Sequence, residues 1–263
     1  VQPFYFSVPE AELFAVYHEP QSGAARQSAV LLCYPLGHEY VNAHRAYRQA
    51  AMMLSEAGFP VLRFDYAGCG DSGGCSEQAS IELWLRNVTQ AVAELQAKSR
   101  ASRLCLVGVR LGATLAMLAA ANGAAVESLV VWDPIVNGNA YLRELAGFHK
   151  RVLDRAETVS RGGTRPPADD GLSLFGFGAP LRHGLGDIDL LSIPRKPAEQ
   201  VLLLENAAES AAAPLAAYLE QQGSRVERKY IPGDASWQHE FDSLLLPGPS
   251  VAAVVRWVYE VCA

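Results

Sequence analysis

The chain has 263 residues, half of them hydrophobic, and a formal net charge of -6. That size suits one large α/β domain with a sizeable core, and the negative balance argues against broad nucleic-acid or anionic-membrane binding. No 18-residue apolar stretch free of charge suggests a membrane span.

Val1-Gln2-Pro3-Phe4-Tyr5-Phe6 lacks a basic segment followed by a long apolar core, so no signal peptide is expected. Residues 3–8 and 12–18 predict an antiparallel pair, and 29–34 a short apolar strand. A helix over 46–57 closes at Gly58, and a strand over 60–65 runs into the Gly-rich loop 66–76. Apolar positions Ile81, Trp84, Val88, Val92 and Leu95 give 77–98 a helical period. Strands follow at 104–107, 129–132, 201–204 and 225–231, with helices at 112–121 and 251–261. Strands separated by helices imply a mostly parallel sheet covered on both faces. The interval 134–200 is too long for a simple crossover. It reads as a helix at 141–156, a breaker segment at 160–171, an extended piece at 172–177 and a short helix at 185–191. This gives a core of residues 1–133 and 201–263 with a lid insertion at 134–200.

Five cysteines at 33, 69, 75, 105 and 262 are odd in number and widely spaced, which fits a reducing, cytoplasmic setting better than a disulfide framework. Cys69, in its Gly-rich loop, is the most plausible reactive thiol. Asp71 and Ser72 in that loop suit turn capping. The six histidines form no metal set, and neither a metal nor another cofactor is expected. Oligomeric state stays open.

The most informative string is Leu104-Cys105-Leu106-Val107-Gly108-Val109-Arg110-Leu111-Gly112-Ala113. An apolar strand enters a Gly-x-X-x-Gly turn and an Ala-rich helix follows, the setting of a nucleophile elbow. The central position normally carries Ser. Arg110 stays protonated and cannot attack a carbonyl.

These features resemble the α/β-hydrolase fold over nearly the whole chain. Tyr40-Val41-Asn42, Gly68-Cys69-Gly70-Asp71-Ser72-Gly73, Arg110-Leu111-Gly112-Ala113, Leu129-Val130-Val131-Trp132 and Trp237-Gln238 are most similar to hydrolase-like proteins associated with exosortase A systems. The resemblance implies an acid after the next-to-last long strand, where Glu209 matches, and a late-loop base, where His239 matches. It also implies an oxyanion site built from peptide N–H groups of Leu36 or Gly37 and of Leu111. His38 is an alternative acid/base group.

Arg110 has two readings. It binds an anion in paired hydrogen bonds, or it forms an internal ion pair with Asp133 or Glu209 and fills the former nucleophile space. Asp65 and Asp133 end central strands, where ligands bind in such folds. Trp132 and Trp237 are candidates for lining the pocket. The leading expectation is hydrolysis of an ester, thioester or related acyl substrate carrying an anionic group. Arg110 then clamps the anion, and Gly37, His38, Asp133 and Trp237 contribute to binding. A non-catalytic acyl-binding scaffold and a non-hydrolytic transferase, dehydratase or cyclase are the alternatives.

Overall fold

The structure is a computed structural model, and it describes residues 1–21, 26–159, 172–206, 212–232 and 248–263. Among the described residues, eight strands form one sheet in the order β1-β2-β4-β3-β5-β6-β7-β8. β1 (Gln2–Val8), β2 (Ala11–His18) and β4 (Val61–Phe64) pair antiparallel in succession. β3 (Ser28–Cys33), β5 (Arg103–Val109), β6 (Ser128–Trp132), β7 (Gln200–Glu205) and β8 (Arg225–Tyr230) run parallel, as does β4 with β3. β3 and β6 are buried at every residue, because helices cover both faces. At the edge, Arg225, Glu227, Arg228 and Tyr230 of β8 are exposed, and such charges discourage pairing with another strand.

α1 (His38–Glu56) packs with α7 (Gly248–Cys262), and α2 (Ile81–Ser99) packs with α3 (Leu111–Ala121). α2 starts where Ser80 Oγ accepts the Leu83 N–H at 3.1 Å, satisfying one open donor of the first turn. α6 (Ala212–Gln221) connects β7 to β8. Between β6 and β7 lie α4 (Gly138–Val159) and α5 (Ala179–Gly186).

Three expectations need correction here. α1 begins at His38, eight residues before the predicted start, because the chain turns sharply at Gly37 (φ 58°). The extended piece predicted at 172–177 is a 3₁₀ turn over Leu172–Phe175. The helix predicted at 185–191 lies earlier, at Ala179–Gly186, with Pro180 in its first turn, and a separate 3₁₀ turn covers Leu190–Ser192. The breaker segment 160–171 lies outside the described residues.

The order β4-β3-β5 places a topological switch beside β3. From β3 the chain moves to β4 on one side, then returns to β5 on the other. Loops leaving the carboxyl ends of β3 and β5 therefore diverge, and in open α/β sheets ligands usually bind at such a point. Cys33 and Gly108 are paired across these strands, so residues 34–37 and Arg110 rise side by side.

Candidate functional site

Arg110 is the N-cap of α3 and holds φ 53°, ψ -123°. This left-handed backbone is strained for any residue with a Cβ. Its N–H donates to Trp132 O at 2.9 Å, and its carbonyl accepts the Thr114 N–H at 3.2 Å. The flanking glycines make the turn possible. A Cβ on Gly108 would lie 2.4 Å from Ala113 N, and one on Gly112 would lie 2.1 Å from Cys33 O. The Gly-x-X-x-Gly spacing thus lets α3 fold back on β5 and press against β3.

The Arg110 side chain is buried, 8% exposed, and sits among carboxylates. Its Nε donates to Glu39 Oε1 at 2.8 Å and its Nη2 to Glu144 Oε1 at 2.6 Å. Tyr141 O–H donates to the other Glu39 oxygen at 2.8 Å, and the guanidinium lies over the Tyr141 ring, 5.4 Å from its centre. Burial disfavours the charge on Arg110, but Glu39 and Glu144 outweigh it and hold the proton more tightly than usual. Burial raises the Glu39 carboxyl above its ordinary range, opposed chiefly by Arg110. The elbow therefore carries a fixed cation joined to the first turn of α1 and to α4.

This assigns the ion pair differently from the sequence reading, which named Asp133 or Glu209. Asp133 (φ 43°) turns toward β7, where its Oδ1 accepts the Asn206 N–H at 3.1 Å. Glu209, Trp237 and His239 lie outside the described residues. Gly37 and Leu111 stand at the start of α1 and α3, on adjacent strand exits. A Cβ on Gly37 would meet the Phe175 ring at 2.9 Å. His38 is buried and stacked on Phe148, with ring centres 3.7 Å apart and planes 7° from parallel. Phe175 lies 6.2 Å from the same imidazole.

Asp65 is a structural hub beside this site. Tyr40 O–H donates to its Oδ1 and the Asp71 N–H to its Oδ2, each at 3.0 Å. Ser72 O–H donates to the Asp65 carbonyl at 2.7 Å and accepts the Phe14 N–H at 2.9 Å. The side-chain capping expected of Ser72 is carried by its hydroxyl, whereas at Asp71 the roles are reversed: its backbone N–H is capped by the Asp65 carboxylate. Cys69 is half-buried, not exposed, and burial pushes its thiol up to about 12, which corrects its candidacy as a reactive group.

Sequence reading missed Glu39, Tyr141, Glu144 and Asn206. Asn206 Oδ1 accepts the Trp132 indole N–H, and its Nδ2 donates to Ile231 O at 2.6 Å and Ser250 Oγ at 3.0 Å. Trp132 therefore fastens strand ends together. Among the described residues no helix is long and apolar enough to cross a membrane, and no three His, Cys, Asp or Glu side chains are grouped to hold a metal.

Residues 28–165, just over half of the chain, match the family described as serine aminopeptidase S33. The chain belongs to this family. It is thus a member of a hydrolase family with an α/β-hydrolase fold and an arginine at its elbow. Among solved structures similar to the S33-family chain is Est1E from Butyrivibrio proteoclasticus with ferulic acid bound (19% identity, TM-score 0.65, 98% of each chain). Another is a Pyrococcus furiosus esterase (13% identity, TM-score 0.70, 98% of this chain and 90% of the other). A third is proline iminopeptidase from Mycobacterium smegmatis (15% identity, TM-score 0.65, 98% of each chain). At these identities the likeness is one of fold. No curated protein matches the sequence.

Proposed function

We propose that this chain acts on an ester, thioester or related acyl compound by direct attack of water, with no acyl–enzyme formed at residue 110. The observation that carries this reading is the elbow itself: its backbone is that of a nucleophile turn, yet its side chain is a buried guanidinium held by Glu39 and Glu144. Family membership and the esterase-like fold support an acyl substrate.

Residues 134–200 act as a lid over the strand ends in this reading. Arg110 clamps the anionic group of the substrate. The N–H groups at the starts of α1 and α3, from Gly37 and Leu111, stabilise the oxygen that gains charge as water adds to the carbonyl. His239 accepts the proton from water and passes it to the leaving group, oriented by Glu209. Asp133 and Trp237 border the acyl compound, and His38 shapes the wall through its stacking on Phe148. The resemblance to exosortase A-associated proteins belongs to the same proposal.

The two ion pairs that hold Arg110 inside the protein favour a second reading, a binding protein without turnover. A panel of 4-nitrophenyl esters and a fluorophosphonate probe separate these outcomes. Steady turnover without a burst, no phosphonyl adduct, and loss of turnover in His239→Ala support the proposal. Binding with no product supports the second reading. A covalent adduct in the elbow, or turnover untouched by His239→Ala, overturns the proposed mechanism.

A further inference from the structure

We propose that Glu144 is an internal stand-in for a ligand carboxylate, and that an anionic acyl ligand enters by taking its place on Arg110. This rests on the reading that an acyl compound binds over the elbow, and it adds a lid-borne competitor for that site.

The two carboxylates on Arg110 are unequal. The Glu39 side chain is 2% exposed, and its second oxygen is held by Tyr141. The Glu144 side chain is 45% exposed and makes one hydrogen bond among the described residues, from Arg110 Nη2. Glu39 is therefore the permanent counter-ion and Glu144 the exchangeable one. Arg110 Nη1 has no acceptor among the described residues, although the residue is 8% exposed. The Nη1/Nη2 edge of a guanidinium matches a carboxylate with two parallel hydrogen bonds, and Glu144 uses only one of these positions.

Charge decides between exchange and addition. Arg110 and Glu39 cancel, and Glu144 leaves one formal negative charge on the cluster. A ligand carboxylate added beside Glu144 would face like charge at close range. Replacing Glu144 keeps the total constant and lets a half-exposed side chain move into water. Tyr141, one turn earlier on α4, retains its bond to Glu39, so the exchange does not require α4 to leave.

Binding of sodium butyrate and of neutral methyl butyrate, measured calorimetrically, tests this. Proteins compared are the wild type, Glu144→Gln and the double variant Arg110→Met/Glu39→Met, the last chosen to leave no lone buried charge. Glu144→Gln should bind butyrate about fivefold more tightly, as expected for removing a partly exposed competing charge. Methyl butyrate affinity should not change, and the double variant should lose butyrate binding. Unchanged or weaker butyrate binding in Glu144→Gln overturns the inference. Butyrate binding that survives in the double variant also overturns it. Methyl butyrate binding without butyrate binding sinks the carboxylate site alone and leaves the proposed function standing. Binding of neither probe to any variant removes both.

Discussion

Arg110→Met isolates the cost of leaving Glu39 buried without its cation. Methionine keeps an unbranched, flexible side chain but removes both ion pairs. Glu39 is 1% exposed, so water cannot replace the guanidinium. Removing one member of a buried pair costs about 3–5 kcal/mol. At about 2–4 °C per kcal/mol for a chain of this size, the melting temperature falls by about 6–20 °C at neutral pH.

The loss depends on pH. In the wild type burial raises the Glu39 carboxyl, and Arg110 is the main opposing influence. Without Arg110 the carboxyl rises further. An acid with a folded value above its unfolded one binds more protons when folded, so stability falls as pH rises between the two values. The slope reaches about 1.4 kcal/mol per pH unit. The penalty relative to wild type therefore opens above the pH where wild-type Glu39 ionises, and it widens until the variant's carboxyl also ionises. Urea unfolding at pH 5.5 and pH 8.0 should show the smaller loss at the lower pH. Arg110→Met/Glu39→Met should be less damaged than Arg110→Met and nearly flat with pH, because no lone charge is buried. A loss below about 1 kcal/mol at pH 8.0 for Arg110→Met, or equal losses at the two pH values, would refute the reasoning.

Gly112→Ala should destabilise by about 1–3 kcal/mol or more in urea unfolding, since its Cβ would lie 2.1 Å from Cys33 O. Gly147→Ala, within α4 and no closer than 3.7 Å to its neighbours, should be neutral or stabilising by about 0.5–1 kcal/mol, and the opposite order would contradict the packing described. Iodoacetamide at pH 8 should modify exposed Cys75 first, while Cys33 and Cys69, both pushed up to about 12 by burial, react slowly. Peptide mapping that finds Cys69 labelled as fast as Cys75 would count against its burial.

The strands are legible in the sequence because burial on both faces leaves little choice of residue: Val30-Leu31-Leu32 and Leu129-Val130-Val131 are apolar throughout. The start of α1 is obscured because His38, Glu39 and Asn42 are polar yet buried, which hides the apolar stripe of its first turns. α6 escapes the pattern: Ala212–Gln221 is rich in small residues and carries Pro214 near its start. The elbow is readable from local spacing, but its partners are not. Glu39 is 71 residues from Arg110 in sequence and Glu144 is 34 residues away. Only the pairing of β3 with β5 brings the first of these close. A usable signal exists for the second: Tyr141 and Glu144 are three apart in a helix and therefore share a face.

The backbone explains why a side chain belongs at position 110 even without a nucleophile. Gly37 and Arg110 end neighbouring strands in nearly the same conformation, φ 58°, ψ -125° and φ 53°, ψ -123°. At Gly37 this turn is unstrained, and the approach of Phe175 leaves no space for a Cβ. At Arg110 the same turn costs about 1–3 kcal/mol that glycine would avoid. The strain is offset by what the side chain does there. Glycine at 110 would leave Glu39 buried against Tyr141 alone, with a penalty larger than the strain relieved. The turn that in a hydrolase elbow lifts an attacking group above the sheet here lifts a cation to the meeting point of α1 and α4.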